Sequence, residues 1–259
     1  MSIHPTAVLS QHCEIDPSVE IGPYCILRGK VKIGAGTKLE GHVVVGSEFG
    51  EVTIGENNRF GPMSYVGGPP QDLTYNNEVT TAVVGDNNHF REFCTVNLGT
   101  AKGKGTSVGS NNYFMSYTHL GHDVHVHNNV VVANDTHIAG HVILEDNVKV
   151  MGVCACNQHV RVGKFAFMAG GSVVNKDIMP FTQAQGNFAI SRATNKIGLQ
   201  RSGYSDSRIS NIHKAVRLVL MGSNTMDEAM QRMRDECEVN EDIEYMISFI
   251  QESKRGIGR

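Results

Sequence analysis

The chain places an apolar residue at almost every sixth position over its first two thirds. Counting in sixes from Ile3 meets an aliphatic residue at each step as far as Val45. After a three-residue slip the spacing resumes at Ile54, and from Val108 to Val174 it continues without a break. A period of six fits neither the 3.6-residue turn of an α-helix nor the alternation of one long strand. The pattern therefore predicts one short strand in every six residues, each followed by a sharp turn.

A second position repeats with the same period. Small or β-branched residues mostly stand four places after the repeated apolar residue, and glycine often follows it directly. Three such units would close one triangular coil, so residues i and i+18 should stack at the strand spacing of about 4.8 Å. The pattern resembles the hexapeptide repeats of the left-handed parallel β-helix, and that resemblance implies the handedness. We therefore expect a mainly β protein, a left-handed parallel β-helix with a C-terminal α-helical domain.

Two interruptions divide the repeat before it ends. They fall at residues 67–83 and 97–107 and keep the phase of the flanking repeats, so they predict loops directed outward from the coil. From about Ser205 the apolar residues follow a helical period instead. We predict a β-helix over residues 1–190 and a helical domain over residues 191–259.

The composition excludes several classes of protein. The 259 residues carry a formal charge of −3, which gives no case for nucleic-acid binding. No apolar stretch approaches the ~18 residues of a membrane span. The first residues lack the basic and apolar parts of a secretory signal. The six cysteines form no paired framework, so we expect free thiols and a cytoplasmic location.

The predicted coil indicates which residues lie next to the histidines. Stacking by 18 residues puts His122 beneath Gly140 and Gln158, and Asp123 beneath His141. One interpretation is a ladder of solvated imidazoles. A second is a metal site, but the chain lacks the spacing of a zinc motif, and we expect no metal. A third makes His122 a general base beside Asp123, with the Gly140 N–H facing a developing oxyanion. That chemistry is acyl transfer.

Five segments carry a more specific resemblance. They read PQDLTYNNE (70–78), THLGHD (118–123), IAGH (138–141), AQGN (184–187) and GLQRSGYS (198–205). Together they resemble the acyl-carrier-protein-dependent UDP-N-acetylglucosamine O-acyltransferases, which perform the first step of lipid A biosynthesis. The resemblance implies a homotrimer with each site between two prisms. It implies no cofactor, since the 3-hydroxyacyl donor is carried on the phosphopantetheine of acyl carrier protein.

The resemblance also implies roles for single residues. His122 would deprotonate the 3-hydroxyl of the sugar, Asp123 would adjoin this base, and Gly140 would supply the oxyanion N–H. Gly170 would help to set the length of the acyl chain. The residues expected to bind the UDP-sugar are Asp72, His119, His141, Gln158, Asn195 and Arg201.

Some positions depart from the family pattern. Asn97, Asn157, Phe188 and Ser202 stand where other residues are usual in the family. They leave two alternatives open. One is a paralogue that acylates a different acceptor, such as a 3-amino sugar nucleotide. The other is a non-catalytic scaffold that binds nucleotide or carrier protein.

Overall fold

A triangular coil of short parallel strands forms most of the molecule. The computed structural model describes residues 2–221 and 224–259. Within them, successive strands as far as residue 174 enter three sheets in strict rotation, and the last two strands both join the first sheet. The three sheets are the first, second and third faces of a prism. In chain order the strands are β1 (Ser2–Ile3), β2 (Val8–Leu9), β3 (Cys13–Ile15), β4 (Glu20–Ile21), β5 (Ile26–Leu27), β6 (Lys30–Ile33), β7 (Lys38–Leu39), β8 (Val44–Val45), β9 (Gly50–Ile54), β10 (Arg59–Phe60), β11 (Tyr65–Gly68), β12 (Thr80–Val84), β13 (His89–Phe90), β14 (Thr95–Asn97), β15 (Thr106–Val108), β16 (Tyr113–Phe114), β17 (His119–Leu120), β18 (His125–Val126), β19 (Val131–Val132), β20 (His137–Ile138), β21 (Ile143–Leu144), β22 (Lys149–Val150), β23 (Ala155–Cys156), β24 (Arg161–Val162), β25 (Phe167–Met168), β26 (Val173–Val174), β27 (Thr182–Gly186) and β28 (Ala189–Thr194).

The register of the strands follows the repeat. His119 pairs with His137, and Leu120 pairs with Ile138, which confirms the stacking of residues 18 apart. The slip after Val45 is absorbed where Ile33 pairs with Ile54. Each interruption lengthens one coil without changing its phase.

The repeated apolar residues fill the interior of the prism. From Ile21 to Val174 they are almost completely buried and form one continuous core. Three of them, Phe60, Phe90 and Phe114, stack at centroid distances of 4.8 and 4.7 Å. Beside this stack runs a buried ladder in which Oδ1 of Asn112 accepts the N–H of Val130 and Nδ2 of Asn112 donates to the carbonyl of His127. The backbone N–H of Asn112 donates in turn to Oδ1 of Asn88. The polar side chain of Asn112 is thus satisfied by neighbouring coils.

The three corners of the prism turn through residues with positive φ. The third corner, between the third and first faces, uses mostly asparagine, a residue that adopts this conformation readily. The first corner, between the first and second faces, uses bulky residues instead. We call its exposed apolar members the apolar corner, and they are Tyr24, Met63, Phe93, Tyr117 and Val153.

The two outward loops are shorter than the interruptions in the pattern. Strands β11 and β12 leave a first loop of residues 69–79, and β14 and β15 leave a second loop of residues 98–105. The flanking residues extend the strands. Strand β28 pairs antiparallel with β27 through Thr194, so the proposed division after residue 190 falls inside this hairpin.

Helices follow the hairpin. They are α1 (Lys196–Arg201), α2 (Asp206–Leu220), α3 (Met226–Glu236) and α4 (Glu241–Glu252). Thr225 and Glu228 form a capping box at the start of α3, a feature that the local sequence itself indicates. The short α1 and the β27–β28 hairpin have no counterpart in the sequence prediction, because neither has a long periodic segment. None of the helices in the described ranges has both the length and the apolar character needed to span a membrane.

An apolar core and buried ion pairs join the helices to the last coils. Phe181 of the coil is fully buried among apolar residues of the helices. The buried carboxylate of Asp242 at the start of α4 lies 3.8 Å from the ammonium of Lys164 on the coil, and it also receives the guanidinium of Arg208 of α2 at 2.5 Å. On the coil, Glu145 accepts hydrogen bonds from Arg161 and from Tyr245 of α4. The helical domain is therefore fixed against the third face of the prism.

Candidate active site

The second corner, between the second and third faces, brings an imidazole and a carboxylate together. His122 and Asp123 follow strand β17 directly, and both are buried, at 4% and 1% exposure. The Nδ1 atom of His122 lies 3.0 Å from Oδ2 of Asp123. An ionised carboxylate accepts the Nδ1–H and leaves Nε2 with a free lone pair. The pair is thus arranged so that Nε2 can take up a proton.

The second loop surrounds the carboxylate of Asp123. The N–H of Thr100 lies 3.0 and 3.1 Å from the two carboxylate oxygens, and the Thr100 hydroxyl donates to Oδ2 at 2.8 Å. Burial alone would raise the pKa of Asp123. The hydrogen bonds from His122 and Thr100 outweigh burial, so the pKa lies below its ordinary value. Asp123 is therefore ionised at neutral pH.

Gly140 lies one coil above the imidazole. A Cβ at this position would lie 2.5 Å from Nε2 of His122, so only glycine fits against the ring. Within the described residues the Gly140 N–H has no protein acceptor. Gly121 keeps this N–H open, because a Cβ there would lie 2.9 Å from the Gly140 nitrogen. An amide N–H and a basic nitrogen therefore lie side by side.

A pocket of about 280 Å³ opens on the second face in front of these groups. It is lined by strand and corner residues of three successive coils and by one residue of the first loop. The lining residues are Gln71, His119, Gly121, His122, His137, Ala139, Gly140, Ala155, Cys156, Asn157 and Gln158. Of the residues predicted for the site, His119, His122, Gly140 and Gln158 line this pocket, whereas His141 does not.

Two other histidines flank the base. Burial lowers the pKa of His119, with smaller contributions from His137 and His122, and its Nδ1 pairs with the hydroxyl of Thr95 at 2.8 Å. Burial also lowers the pKa of His141. Both imidazoles are neutral at neutral pH and can act as hydrogen-bond donors or acceptors toward a polar ligand.

His141 lies beyond the corner rather than inside the pocket. Its ring centroid is 5.0 Å from that of His122, and its Nε2 is 3.8 Å from Oδ2 of Asp123. It stacks on His159 at 4.5 Å and lines a wider cleft on the third face. A ligand in the pocket would therefore meet His141 at its edge.

Asp72 belongs to the first loop, close to the pocket residue Gln71. Its carboxylate accepts the N–H and hydroxyl of Thr74 at 2.8 and 3.0 Å. These hydrogen bonds lower its pKa, with a smaller effect from His122. The loop thus holds an anionic side chain near the base.

The remaining predicted binding residues lie elsewhere on the chain. Asn195 caps α1 through Gly198 and donates to the carbonyl of Phe165 at the third corner, which is the corner opposite the second face. Arg201 ends α1, and Gly170 lies at the first corner beside Gly152. A single chain therefore does not bring these three residues into the pocket.

One group of side chains has the composition of a metal site. His122, Asp123 and His141 place one potential ligand atom each within 4.8 Å of one another. However, the Asp123 oxygens already receive Thr100 and His122. A metal ion would have to displace these donors, and the donor set fits a hydrogen-bonded pair better than a coordination site.

Sequence reasoning missed Thr100, Gln71 and the pocket role of Asn157. Thr100 lies in the glycine-rich segment NLGTAKGKG, and such a segment indicates close backbone approach to another group. Its target, Asp123, became visible only when the path of the loop was known.

The coil defines the class of protein as a hexapeptide-repeat transferase. A family model described as bacterial transferase hexapeptide (six repeats) matches residues 3–47. A second model, described as UDP-N-acetylglucosamine O-acyltransferase, domain 2, matches residues 177–258. The two matches cover the start of the coil and the helical domain.

Individual relatives narrow the class to one family. The acyl-[acyl-carrier-protein]–UDP-N-acetylglucosamine O-acyltransferase of Myxococcus xanthus is 43% identical over 81% of this chain and 82% of that protein. The Burkholderia orbicola enzyme of the same name is 41% identical over 99% of both chains. The crystal structure of the UDP-N-acetylglucosamine O-acyltransferase of Moraxella catarrhalis superposes with a TM-score of 0.96, at 35% identity over 100% of both chains. This chain belongs to the family of acyl-carrier-protein-dependent UDP-N-acetylglucosamine O-acyltransferases, and its β-helix is left-handed.

Proposed function

We propose that the protein transfers a 3-hydroxyacyl chain from acyl carrier protein to the 3-hydroxyl of UDP-N-acetylglucosamine, the first step of lipid A biosynthesis. One observation carries this proposal: Nε2 of His122 and the open N–H of Gly140 face the same pocket. An acyl transfer between an alcohol and a thioester needs a proton acceptor and an oxyanion donor at these relative positions.

The residues act in sequence on the two substrates. Nε2 of His122 takes the proton of the sugar 3-hydroxyl while its oxygen attacks the thioester carbonyl. Asp123 stabilises the resulting imidazolium through Nδ1–H. The Gly140 N–H stabilises the tetrahedral oxyanion. When the C–S bond breaks, the imidazolium returns its proton to the departing thiolate, and an ester and a free thiol remain.

The acyl donor is already activated as a thioester. The proposed reaction therefore needs no metal and no cofactor of the protein. Within the pocket, His119 and Gln158 offer polar groups to the sugar, and Asp72 borders the entrance. We infer a cytoplasmic enzyme, because its substrates in this reaction are soluble metabolites and a carrier protein.

The position of Asn195 and Arg201 supports a homotrimer. If the first corners of three copies meet at the axis, the second face of one copy faces the first face of the next. The far edges of these two faces are the second corner, with His122, and the third corner, with Asn195. Asn195 and Arg201 of the neighbouring copy would then border the pocket.

The apolar corner is a suitable surface for this axis. Tyr117 and Val153 are 52% and 68% exposed, and Phe93 stacks on Tyr117 at 4.8 Å. A β-branched residue with positive φ, such as Val153, is locally unfavourable, whereas the third corner uses asparagine at the same geometry. Burial between copies would offset that cost.

Replacing the apolar corner should separate the copies without unfolding them. Asparagine favours the left-handed conformation, so Phe93→Asn/Tyr117→Asn/Val153→Asn should keep the coil and remove the apolar contact. We expect monomers by light scattering, unchanged far-UV circular dichroism and an inactive protein. Val83→Asn, at an exposed apolar residue of the third face, is the control and should stay trimeric. A triple variant that remains a trimer would reject the proposed axis.

Acyl carrier protein is acidic, and the helical domain offers cations to it. Lys196 and Arg201 of α1 and Arg217 of α2 are exposed. Arg208 of α2 is bound to Asp242 and Glu241 and is a structural residue. We propose that Lys196, Arg201 and Arg217 form the surface on which the carrier protein docks.

A comparison of two acceptor substrates distinguishes the proposed reaction from its alternatives. Purified trimer is incubated with a series of 3-hydroxyacyl carrier proteins and either UDP-N-acetylglucosamine or its 3-amino analogue, and the products are identified by mass spectrometry. We expect an ester of UDP-N-acetylglucosamine as the faster product. A faster amide would assign the chain to 3-amino sugar acylation, and no product with any donor would indicate a binding scaffold.

A further inference from the structure

The second loop contacts the coil at the carboxylate of Asp123. Thr100 is buried, at 7% exposure, and uses both its N–H and its hydroxyl on this one carboxylate. The residue that follows the loop contributes as well, since the hydroxyl of Thr106 accepts the N–H of Asp123 at 2.9 Å. Side chain and backbone of Asp123 are therefore both fixed by this segment.

Two glycines let the loop come this close. A Cβ on Gly103 would lie 1.8 Å from Oδ1 of Asp123, and one on Gly99 would lie 2.6 Å from the same oxygen. Neither position has room for any other side chain. The loop is thus packed against the carboxylate rather than only passing over it.

We propose that Thr100 is a positioning residue for the acyl transfer, which holds the Asp123 carboxylate in the plane that aims Nε2 of His122 at the pocket. The inference rests on the proposed function, in which His122 is the base. A carboxylate bound only by the imidazole could rotate about its last bond and carry the ring with it. The two Thr100 donors approach from the loop side and leave one orientation.

The geometry assigns different tasks to the two donors of Thr100. Its N–H lies 3.0 and 3.1 Å from the two oxygens and fixes the position of the carboxylate as a whole. Its hydroxyl meets Oδ2, the oxygen that also accepts from His122. The hydroxyl therefore competes with Nδ1–H of His122 for Oδ2, and it limits how strongly Oδ2 binds the imidazole.

Two substitutions separate the hydroxyl from the rest of the residue. Thr100→Val keeps the N–H and the branched shape but removes the hydroxyl, and Thr100→Ser keeps the hydroxyl. We expect kcat for Thr100→Val to fall roughly 10- to 150-fold, the factor for one lost hydrogen bond to a charged group. KM for the sugar nucleotide should not change, and Thr100→Ser should restore most of kcat.

The pH profile separates positioning from a structural role. Without the hydroxyl, Oδ2 binds the Nδ1–H more strongly and favours the protonated pair. The acid limb of kcat/KM should then move to higher pH. The other titratable groups around the pair, which are the same in both variants, are Asp72, His119, His125, His141 and His159.

A double-mutant cycle completes the test. In an Asp123→Asn background, Thr100→Val should cause no further loss, because its effect passes through the carboxylate. A wild-type kcat and acid limb for Thr100→Val, or a full additional loss in the Asp123→Asn background, would overturn the inference. If His122→Ala is inactive in the same assays, the proposed function survives that result. If His122→Ala keeps wild-type turnover, His122 is not the base, and the premise of the inference fails with it.

Discussion

Removing the imidazole of His122 is expected to abolish transfer while leaving the protein folded. A positioned general base contributes about 10²- to 10⁴-fold, so His122→Ala should lower kcat/KM by roughly 10³-fold. The fold should persist because Asp123 keeps its hydrogen bonds from Thr100 and the imidazole is not part of the apolar core. Turnover with 3-hydroxyacyl carrier protein is measured by release of the free carrier thiol.

The matched control is another histidine of the same coil. His125 lies three residues later on strand β18, where its Nδ1 pairs with the Ser107 hydroxyl at 2.7 Å. It does not line the pocket of the second face. His125→Ala should retain wild-type turnover. If His122→Ala also retained it, the base would have to be another group, and the proposed sequence of proton transfers would be wrong.

Adding one methyl group at Gly140 is expected to have the second largest effect. The new Cβ would lie 2.5 Å from Nε2 and 2.6 Å from Cε1 of His122, so the ring has to move. Asp123 holds the other side of the ring at Nδ1, and the only relief is a displaced base. A misplacement of about 1 Å can cost 10²-fold, so we expect Gly140→Ala to lose about two orders of magnitude in kcat.

Gly41→Ala is the control for this substitution. Gly41 precedes His42, which has a φ of 59°, as Gly140 precedes His141, which has a φ of 61°. A Cβ on Gly41 meets no atom closer than 3.6 Å. Both variants should stay folded by circular dichroism, and only Gly140→Ala should lose activity. Equal turnover of the two variants would show that the space beside Nε2 is not needed.

The coil illustrates how much of a fold a local period can specify. Because each strand pairs with the strands one coil below and above, the sequence spacing of 18 fixes which residues stack. His119 on His137 and His122 beneath Gly140 could be predicted without knowing any distant contact. The capping box of Thr225 is equally local and was also predictable.

The features that escaped prediction depend on contacts between distant segments. Thr100 reaches Asp123 across 23 residues, through a loop whose path has no period. The β27–β28 hairpin and the ion pair of Arg208 with Asp242 are of the same kind. In each case the two residues in contact are distant in sequence, and only the folded structure brings them together.

The sequence by itself determined the prism, its register, and the meeting of a histidine, an aspartate and a glycine at one corner, since all of these follow from a repeat of short range. Only the tertiary structure decided which side chains hold that carboxylate and which face the pocket occupies. It also decided that Asn195 and Arg201 lie across the prism from the pocket. Those facts depend on how loops and helices pack onto the coil, and packing between distant segments leaves no period in the chain.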